Sequence, residues 1–351
     1  MRVLLFGGTR FIGRRLVKDL LEAGHQVTLY TRGRAPDDLG SRVERVIGDR
    51  RVAADLASAL SRREFDAAYD FLSFDAADAR LAIQTLGGRV GHFIHISTCS
   101  VYWCSGDFPC PVSEEELDRL GEFAEQAGSI EYDYGYNKRL AEKELFAAHR
   151  QTGFPVTTIR MPVVAGENDH TLRYASYCLR LSDGGPLILP DGGLAPFRHV
   201  YVGDVARALC LLAGSSRAIG QAYNLACSEI LTVKATIAAT GEILGRKAQT
   251  VEIPAPVLRQ MGLGTAFSPF SRPAPLVPTI FKARRDLGWS PTPHAVWLER
   301  AVRSGLSEAR AAAEPPLAYT YRAQEIDVIQ RYRKGLVRLG EQDGTSSALP
   351  E

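Results

Sequence analysis

The first part of the chain alternates short apolar runs with longer amphipathic segments. The apolar runs predict strands at Val3–Phe6, Gln26–Tyr30, Val43–Ile47, Ala67–Leu72, His92–Ser97 and Val156–Met161. The amphipathic segments predict helices at Phe11–Ala23, Ala76–Leu86 and Tyr136–His149. Because strands that alternate with helices form a parallel sheet covered on both faces, the pattern predicts an α/β fold with a doubly wound parallel sheet.

The helix Phe11–Ala23 has the clearest pattern. Ile12, Leu16 and Leu20 recur at intervals of four residues and form one apolar face. Gly24 follows at once, which is typical of a helix C-terminus.

After about Gly166 the alternation weakens and proline and glycine become frequent. We expect a smaller C-terminal α/β substrate-binding lobe here. One segment is expected to return to the first domain, with a short strand followed by a helix at Phe197–Leu212 and a strand at Ala222–Leu225. A proline-rich loop is predicted at Ser268–Pro278. The predicted division is residues 1–165 with 197–226 for the first domain, 166–196 with 227–340 for the lobe, and 341–351 for a frayed tail.

Composition narrows the classes of function. The chain has 351 residues, with 42 Lys+Arg against 40 Asp+Glu and a net charge of +2, so it carries no broad field for nucleic acid or an anionic membrane. Its six cysteines show no C-x-x-C spacing, which suits reduced thiols in the cytoplasm and predicts no metal site. No apolar run is long enough for a membrane span, and the first residues do not form a signal peptide.

The glycine-rich run Gly7-Gly8-Thr9-Arg10-Phe11-Ile12-Gly13 lies between the first predicted strand and the first predicted helix. Gly7 permits the tight turn, and Gly13 permits close packing of the helix on the sheet. The N-terminus of the helix offers unpaired N–H groups and a positive dipole end to a pyrophosphate. The segment therefore predicts a dinucleotide site of the Rossmann type, with Thr9, Phe11 and Ile12 in the binding loop.

Basic residues surround the expected ribose position. Arg10 stands where a middle glycine would let the backbone approach the phosphates, and Arg32 follows the second strand, where an acidic residue would hold the ribose of NAD. Both guanidinium groups suit a 2′-phosphate, which favours NADP(H) over NAD(H) as cofactor.

Three further side chains fit alcohol–ketone chemistry. Tyr134 and Lys138 are four residues apart and share one helix face, so the ammonium stabilises a phenolate and can also hold the nicotinamide ribose. Thr98, after the strand His92–Ser97, supplies a hydroxyl for the substrate oxygen. The three residues are candidates for catalysis.

With these motifs in this order, the chain resembles the extended short-chain dehydrogenase/reductase family, the NAD(P)-dependent epimerase/dehydratase group, over nearly all of residues 1–300. Within the family, the loop with Arg10 and the run Gly24 to Gly33 are similar to the chloroplast stem-loop RNA-binding proteins. This chain keeps the Tyr134 and Lys138 pair, which that subgroup lacks.

The resemblance implies further site residues. Asp49 and Arg50 follow the third strand and are expected at the adenine, and Pro162 lines the nicotinamide. Phe71, Leu72 and Ser73 are expected to close over the cofactor from the fourth strand. Tyr102 and Arg198 are expected to contact substrate. The family also implies a homodimer formed through the helix that carries Tyr134 and Lys138.

The residues narrow the reaction only in part. Cys99 and Ser100 stand where sugar-nucleotide dehydratases have an Asp-Glu pair, which disfavours dehydration, although Glu131 or Asp133 could supply a carboxylate. The family's late Arg-Pro-Gly-Asp segment is reduced here to Arg272-Pro273-Ala274-Pro275. We therefore predict an NAD(P)-dependent oxidoreductase or epimerase of a secondary alcohol, acting on a sugar nucleotide. The alternatives are a non-nucleotide secondary metabolite as substrate, or a non-catalytic RNA-binding member of the family.

Overall fold

The computed structural model describes residues 1–105, 107–121, 130–271 and 274–335. The chain forms two compact units. The first comprises Met1–His170, Pro196–Leu231 and Ala274–Glu308, and the second comprises Thr171–Ala195, Thr232–Pro273 and Ala309–Glu351.

The first unit is built on a seven-stranded sheet with the strands β1 (Arg2–Phe6), β2 (Gln26–Thr31), β3 (Glu44–Ile47), β4 (Ala67–Asp70), β5 (Phe93–Ile96), β6 (Val156–Arg160) and β10 (Ala222–Asn224). Their order is β10-β6-β5-β4-β1-β2-β3, and every neighbouring pair is parallel. The predicted α/β fold with a doubly wound parallel sheet is confirmed. The strand order reverses between β1 and β4, and sheets of this type bind ligands at that point, beyond the carboxyl ends of the strands.

Helices cover both faces of this sheet, and a short second sheet joins β7 (Val164–Ala165) to β9 (Val200–Tyr201). The helices of the first unit are α1 (Phe11–Glu22), α2 (Ala53–Leu60), α3 (Ala76–Leu86), α4 (Ser100–Trp103), α5 (Ile130–Thr152), α7 (Val202–Leu212), α10 (Phe281–Leu287) and α11 (His294–Ala311), which begins in this unit.

Helix α1 forms where its periodicity predicts. It buries Leu16, Val17 and Leu20 completely and packs against α7. Each such side chain contributes about 1.5–3 kcal/mol when it leaves water, which is enough to fix the helix on the sheet. Helices α3 and α5 pack against each other, and buried side chains of both belong to the cluster that also contains Phe6 and Phe93 of the strands.

The segment Ala274–Glu308 belongs to the first unit, whereas the predicted division places it in the C-terminal lobe. The Asp204 carboxylate of α7 accepts hydrogen bonds from the backbone N–H of Thr292 at 2.7 Å and from its hydroxyl at 2.6 Å. The Trp289 indole donates to the Asp204 carbonyl oxygen at 2.8 Å. These bonds join residues more than 80 positions apart, which proline and glycine spacing does not reveal.

The second unit contains a parallel pair of strands, β8 (Leu187–Pro190) and β11 (Thr250–Ile253). Its helices are α6 (Arg173–Ser182), α8 (Val233–Leu244), α9 (Ala255–Gln260), α12 (Leu317–Thr320) and α13 (Arg322–Arg333). Ile188, Ile253, Leu258 and Phe267 form a buried apolar cluster with Val328 of α13.

The sequence pattern predicted neither α2 nor the individual helices and strands of the second unit. Helix α5 begins at Ile130, six residues before the predicted stretch Tyr136–His149, and it includes both Tyr134 and Lys138. Within the described parts of the predicted loop Ser268–Pro278, no helix or strand occurs. The predicted tail, residues 341–351, lies outside the described residues, as do Arg272 and Pro273.

Candidate active site

The glycine loop between β1 and α1 adopts a conformation that needs glycine. Gly7 and Gly8 have φ angles of +94° and +95°, a region that other residues rarely adopt. A Cβ atom on Gly13 would lie 2.5 Å from the Cα of Gly8, so the helix can approach the loop only because residue 13 has no side chain. The glycines thus bring the start of α1 directly onto the end of β1.

The N-terminus of α1 lacks a side-chain cap. Arg10 is the N-cap residue, with an extended backbone and no capping hydrogen bond from its side chain. The first N–H groups of a helix have no partner within the helix, and the helix dipole favours an anion beside them. This uncapped helix start fits the pyrophosphate of a dinucleotide.

A cleft of about 390 Å³ opens at this helix start. Its walls include Thr9, Arg10 and Phe11 of the loop, Arg14 of α1, and Asp38 after β2. Arg10 is exposed, and so is Arg32, which does not line the cleft. Within the described part of the chain neither guanidinium group forms an ion pair, so both stay available to an anionic ligand.

Phe71 and Leu72 flank the glycine loop. A Cβ atom on Gly7 would lie 3.6 Å from the Cβ of Phe71 and 3.6 Å from the Cγ of Leu72, an ordinary van der Waals contact. Ile12 and Pro162 are partly buried. The structure therefore brings the ends of β1 and β4 together beside the start of α1.

Arg50 and Ser73 lie in a buried hydrogen-bond network. Arg50 donates to the Asp70 carboxylate at 3.1 Å, to the Ser73 hydroxyl at 2.9 Å and to the Asp78 carbonyl oxygen at 3.0 Å. The Ser73 hydroxyl donates to Asp70 at 2.6 Å. Their side chains hold the loop after β4, whereas the resemblance implies contact with the cofactor. Asp49 is half-buried, and its carboxylate accepts a bond from the Arg51 N–H at 3.0 Å.

Lys138 of α5 reaches the carboxyl ends of two strands. Its ammonium donates to the carbonyl oxygen of Ser73, after β4, at 2.7 Å and to that of Ile96, in β5, at 2.6 Å. Burial lowers the pKa of Lys138 to about 8, although Asp70 and Glu142 act in the opposite direction. An ammonium has three N–H donors. Among the described residues, two of them have hydrogen-bond acceptors, so the third is available to a ligand.

Two different elements carry Thr98 and Tyr134: Thr98 follows β5, and Tyr134 lies on α5 with Lys138. Thr98 follows the Ile96 carbonyl by two residues and is 8% exposed, and its hydroxyl donates to the Ser100 hydroxyl at 3.1 Å. Tyr134 lies one turn before Lys138 on α5 and is 41% exposed. A buried ammonium and an accessible phenol lie on one helix, beside the end of β5. The ammonium can stabilise the phenolate, and the phenol can then transfer a proton.

The side chains of the two expected substrate contacts bind partners within this chain. Tyr102 is completely buried, and its hydroxyl donates to Asn224 at 2.8 Å and accepts from Arg160 at 3.1 Å. This placement differs from the predicted substrate contact because partners far along the chain enclose the ring. Arg198 donates to the carbonyl oxygens of Pro278 at 2.9 Å and Ser228 at 3.0 Å, and burial lowers its pKa.

The residues after Thr98 do not offer acid/base chemistry. Cys99 is completely buried, and burial raises the pKa of its thiol well above the ordinary value. Asp133 is exposed on α5, and the side chain of Glu131 lies outside the described residues.

Sequence reasoning missed Glu142. This buried carboxylate of α5 accepts from Arg160 of β6 at 2.7 Å and from the hydroxyl of Ser97. The spacing of Tyr134, Lys138 and Glu142, each four residues apart, is the signal that could have found it, because the three share one helix face.

Within the described residues no cluster of three or more His, Cys, Asp or Glu side chains could hold a metal ion. None of the helices in that part of the chain combines the length and apolar character of a membrane span.

The parallel sheet, the glycine loop and the uncapped helix start define a Rossmann-type dinucleotide-binding protein. The model of the NAD dependent epimerase/dehydratase family matches residues 3–226. The chain belongs to this family.

Curated relatives are consistent with that assignment, and a solved structure shares the fold. The chain is 26% identical over 304 residues to the chloroplast stem-loop binding protein of 41 kDa b of Arabidopsis thaliana. The aligned region covers 83% of this chain and 75% of the relative. The chain is 26% identical over 259 residues to 2'-dehydrokanamycin reductase of Streptomyces kanamyceticus, covering 73% and 70%. UDP-glucuronic acid 4-epimerase from Bacillus cereus, solved in complex with NAD, has a TM-score of 0.69 at 20% identity over 88% of this chain and 99% of that chain. At this identity the structural likeness supports the fold alone.

Proposed function

We propose that this chain is an NADP(H)-dependent oxidoreductase or epimerase that interconverts a secondary alcohol and the corresponding ketone. One observation carries the proposal: the Lys138 ammonium binds the carbonyls of Ser73 and Ile96 at the strand ends and keeps a third donor, one helical turn from the accessible Tyr134. This is the arrangement that holds a ribose hydroxyl and stabilises a phenolate.

Each of the three candidate residues has one task. Tyr134 transfers the proton to or from the substrate oxygen, Lys138 stabilises the phenolate and anchors the ribose, and Thr98 donates a hydrogen bond to the same oxygen. When bound, the nicotinamide supplies or accepts the hydride. The uncapped start of α1 binds the pyrophosphate through backbone N–H groups. The adenine and nicotinamide ends of the dinucleotide are proposed to be lined by Asp49, Phe71, Leu72 and Pro162.

The proposed substrate is a sugar nucleotide. The family match and the names of solved neighbours such as UDP-glucuronic acid 4-epimerase support it. Arg198 supports it too, because its Nε atom is buried without a partner among the described residues and suits a phosphate. The alternative is a non-nucleotide metabolite, which the reductase names of two relatives favour. We also propose that the protein forms a homodimer and is located in the cytoplasm.

One observation favours a second candidate function, RNA binding. The relative named as a stem-loop binding protein covers 83% of this chain. At the amino ends of β1 and β2 lies a groove of about 810 Å³ with five arginines and two glutamates in its walls. Phosphates of a folded RNA would be the ligand. The five arginines are Arg2, Arg42, Arg62, Arg63 and Arg89.

The deciding experiment identifies, by mass spectrometry, any dinucleotide released when freshly purified protein is denatured. The stripped protein is then titrated with NADPH and NADH. A retained oxidised cofactor supports an epimerase, because an epimerase regenerates it within each cycle. Reversible binding of NADPH to an empty site supports a reductase. If neither dinucleotide is carried or bound, the redox proposal fails.

The same preparation is then tested with a hairpin RNA. Binding that weakens with salt and is lost in R62Q/R63Q/R89Q would support the second candidate. Binding that these substitutions leave unchanged would reject the groove as the RNA site.

A further inference from the structure

An acidic residue at the start of the cofactor cleft is held by two basic residues of α1. The Asp38 carboxylate accepts hydrogen bonds from Arg14 at 2.8 and 2.7 Å, in a bidentate arrangement, and from Lys18 at 2.8 Å. The hydrogen bonds from Arg14 and Lys18 hold the pKa of Asp38 well below its usual range. Asp38 is therefore ionised at neutral pH, with both cations within hydrogen-bond distance.

The cluster of Arg14, Lys18 and Asp38 lies where a ligand would meet it. Arg14 and Asp38 line the same cleft as Thr9 and Arg10. Two positive charges and one negative charge leave the cluster with a net charge of +1. An anion that enters the cleft therefore meets a positive group, although it contains a carboxylate.

Arg14 is fixed from a third side. Its remaining guanidinium nitrogen donates to the side-chain oxygen of Asn168 at 2.8 Å, and the N–H of Asn168 donates to Glu308 at 2.9 Å. The neighbouring acid, Asp37, is paired separately by a bidentate contact with Arg45 at 2.9 and 2.7 Å. Both carboxylates of the loop after β2 are thus already bound by this chain's own cations.

Arg32 occupies the position directly after β2 at which an acidic residue would hold the ribose of NAD(H), and Asp38 follows six residues later in the same loop. An unpaired carboxylate in the wall of this cleft would repel the 2′-phosphate of NADP(H). Asp38 repels it less, because three of its acceptor sites are occupied and two cations offset its charge.

We propose that the cluster of Arg14, Lys18 and Asp38 sets the cofactor preference: Arg14 and Lys18 offset the charge of the Asp38 carboxylate in the cleft wall and leave a net positive charge that favours NADP(H). This inference rests on the proposed function, since it concerns the same dinucleotide site. It makes Arg14, acting through Asp38, a determinant of cofactor specificity in addition to Arg10 and Arg32.

The experiment measures dissociation constants of NADPH and NADH for wild type, R14Q, D38N and R14Q/D38N by fluorescence titration at low and physiological salt. We expect R14Q to reduce the preference for NADPH about three- to tenfold, more at low salt, because Asp38 keeps only Lys18 as its partner. R14Q/D38N should recover the preference, since the repelling charge is gone. D38N alone should retain or increase it.

The matched control is R15Q. Arg15 belongs to the same helix and pairs with Asp19 at 2.9 Å, but it does not line the cleft. It should leave both dissociation constants unchanged. Thermal unfolding of every variant checks that the fold is intact.

The possible failures are distinguishable. If R14Q weakens NADPH and NADH equally and D38N does not restore binding, Arg14 acts directly on the pyrophosphate and the inference is overturned. A wild type that prefers NADH also overturns it but leaves the redox function standing. A wild type that binds neither dinucleotide rejects the proposed function before any variant is made.

Discussion

The Lys138 ammonium donates a hydrogen bond to the backbone carbonyl of Ile96 across 2.6 Å, and this bond ties helix α5 to the carboxyl end of β5. Lys138 is only 2% exposed, so its charge is held by carbonyl oxygens and not by water. Such a lysine is costly to keep charged in the folded protein, and the cost depends on pH.

Stability should therefore rise with pH where Lys138 titrates. Burial lowers the folded pKa from 10.5 to about 8, so below pH 8 both states carry the proton and the folded state bears the full cost of the buried charge. Between about pH 8 and 10.5 the unfolded chain binds more protons than the folded one. The free energy of unfolding of wild type, relative to K138M, should increase over this window by at most about 3 kcal/mol. Urea unfolding at pH 7 to 10 measures it.

The control for this effect is K247M, at an exposed lysine of the second unit. Its difference from wild type should be independent of pH. A K138M difference that is equally flat would mean that Lys138 is not desolvated as the structure indicates.

Tyr134→Phe should abolish turnover and spare cofactor binding. The substitution removes the hydroxyl that transfers the proton, which is worth about 100-fold or more in kcat. The dissociation constant of NADPH should stay within about twofold of wild type, because the phenol has no task in holding the dinucleotide. Steady-state kinetics and titration measure the two quantities.

Tyr136→Phe is the matched control. Tyr136 lies on the same helix, and its ring stacks on Tyr132 with 5.9 Å between centroids. It should keep near wild-type turnover. Full activity in Y134F, or equal losses in both variants, would contradict the proposed role of Tyr134.

The sequence predicted the sheet and the glycine loop because both depend on local patterns. Leu16 and Leu20 mark the buried face of α1, and Gly7 and Gly13 follow from the turn that they permit. Tyr102 could not be placed in this way. Its partners, Arg160 and Asn224, are 58 and 122 residues away, so its burial depends on the tertiary fold.

The second unit was harder to predict for the same reason. Strands β8 and β11 pair in parallel, with Leu187 opposite Thr250, although a long stretch of chain separates them. Parallel pairing leaves no hairpin signal in the sequence. The position of Lys138 against Ser73 and Ile96 likewise required the strand order, because β4 and β5 supply the two carbonyls.

Gly13→Ala should weaken both stability and cofactor binding. The new methyl group would lie 2.5 Å from the Cα of Gly8, and the backbone of the loop cannot move away without displacing the start of α1. We expect a loss of about 2–3 kcal/mol in the free energy of unfolding, with NADPH affinity reduced as well. Gly264→Ala is the control, because no atom lies within 4 Å of a Cβ there. A stability loss of less than about 0.5 kcal/mol in G13A would show that the close approach is absent.

Glu142→Gln should destabilise the protein far more than the same change at Glu144. Glu142 is buried with Arg160 at 2.7 Å, and the amide would leave the guanidinium without a counter-charge, at a cost of about 3–5 kcal/mol. Glu144 pairs with Arg80 at the same distance of 2.7 Å, but both side chains are exposed, and water replaces the lost partner, so the cost should stay below about 1 kcal/mol. Urea unfolding of the two variants at neutral pH measures the difference. Similar midpoints for E142Q and E144Q would mean that water reaches the Arg160 guanidinium.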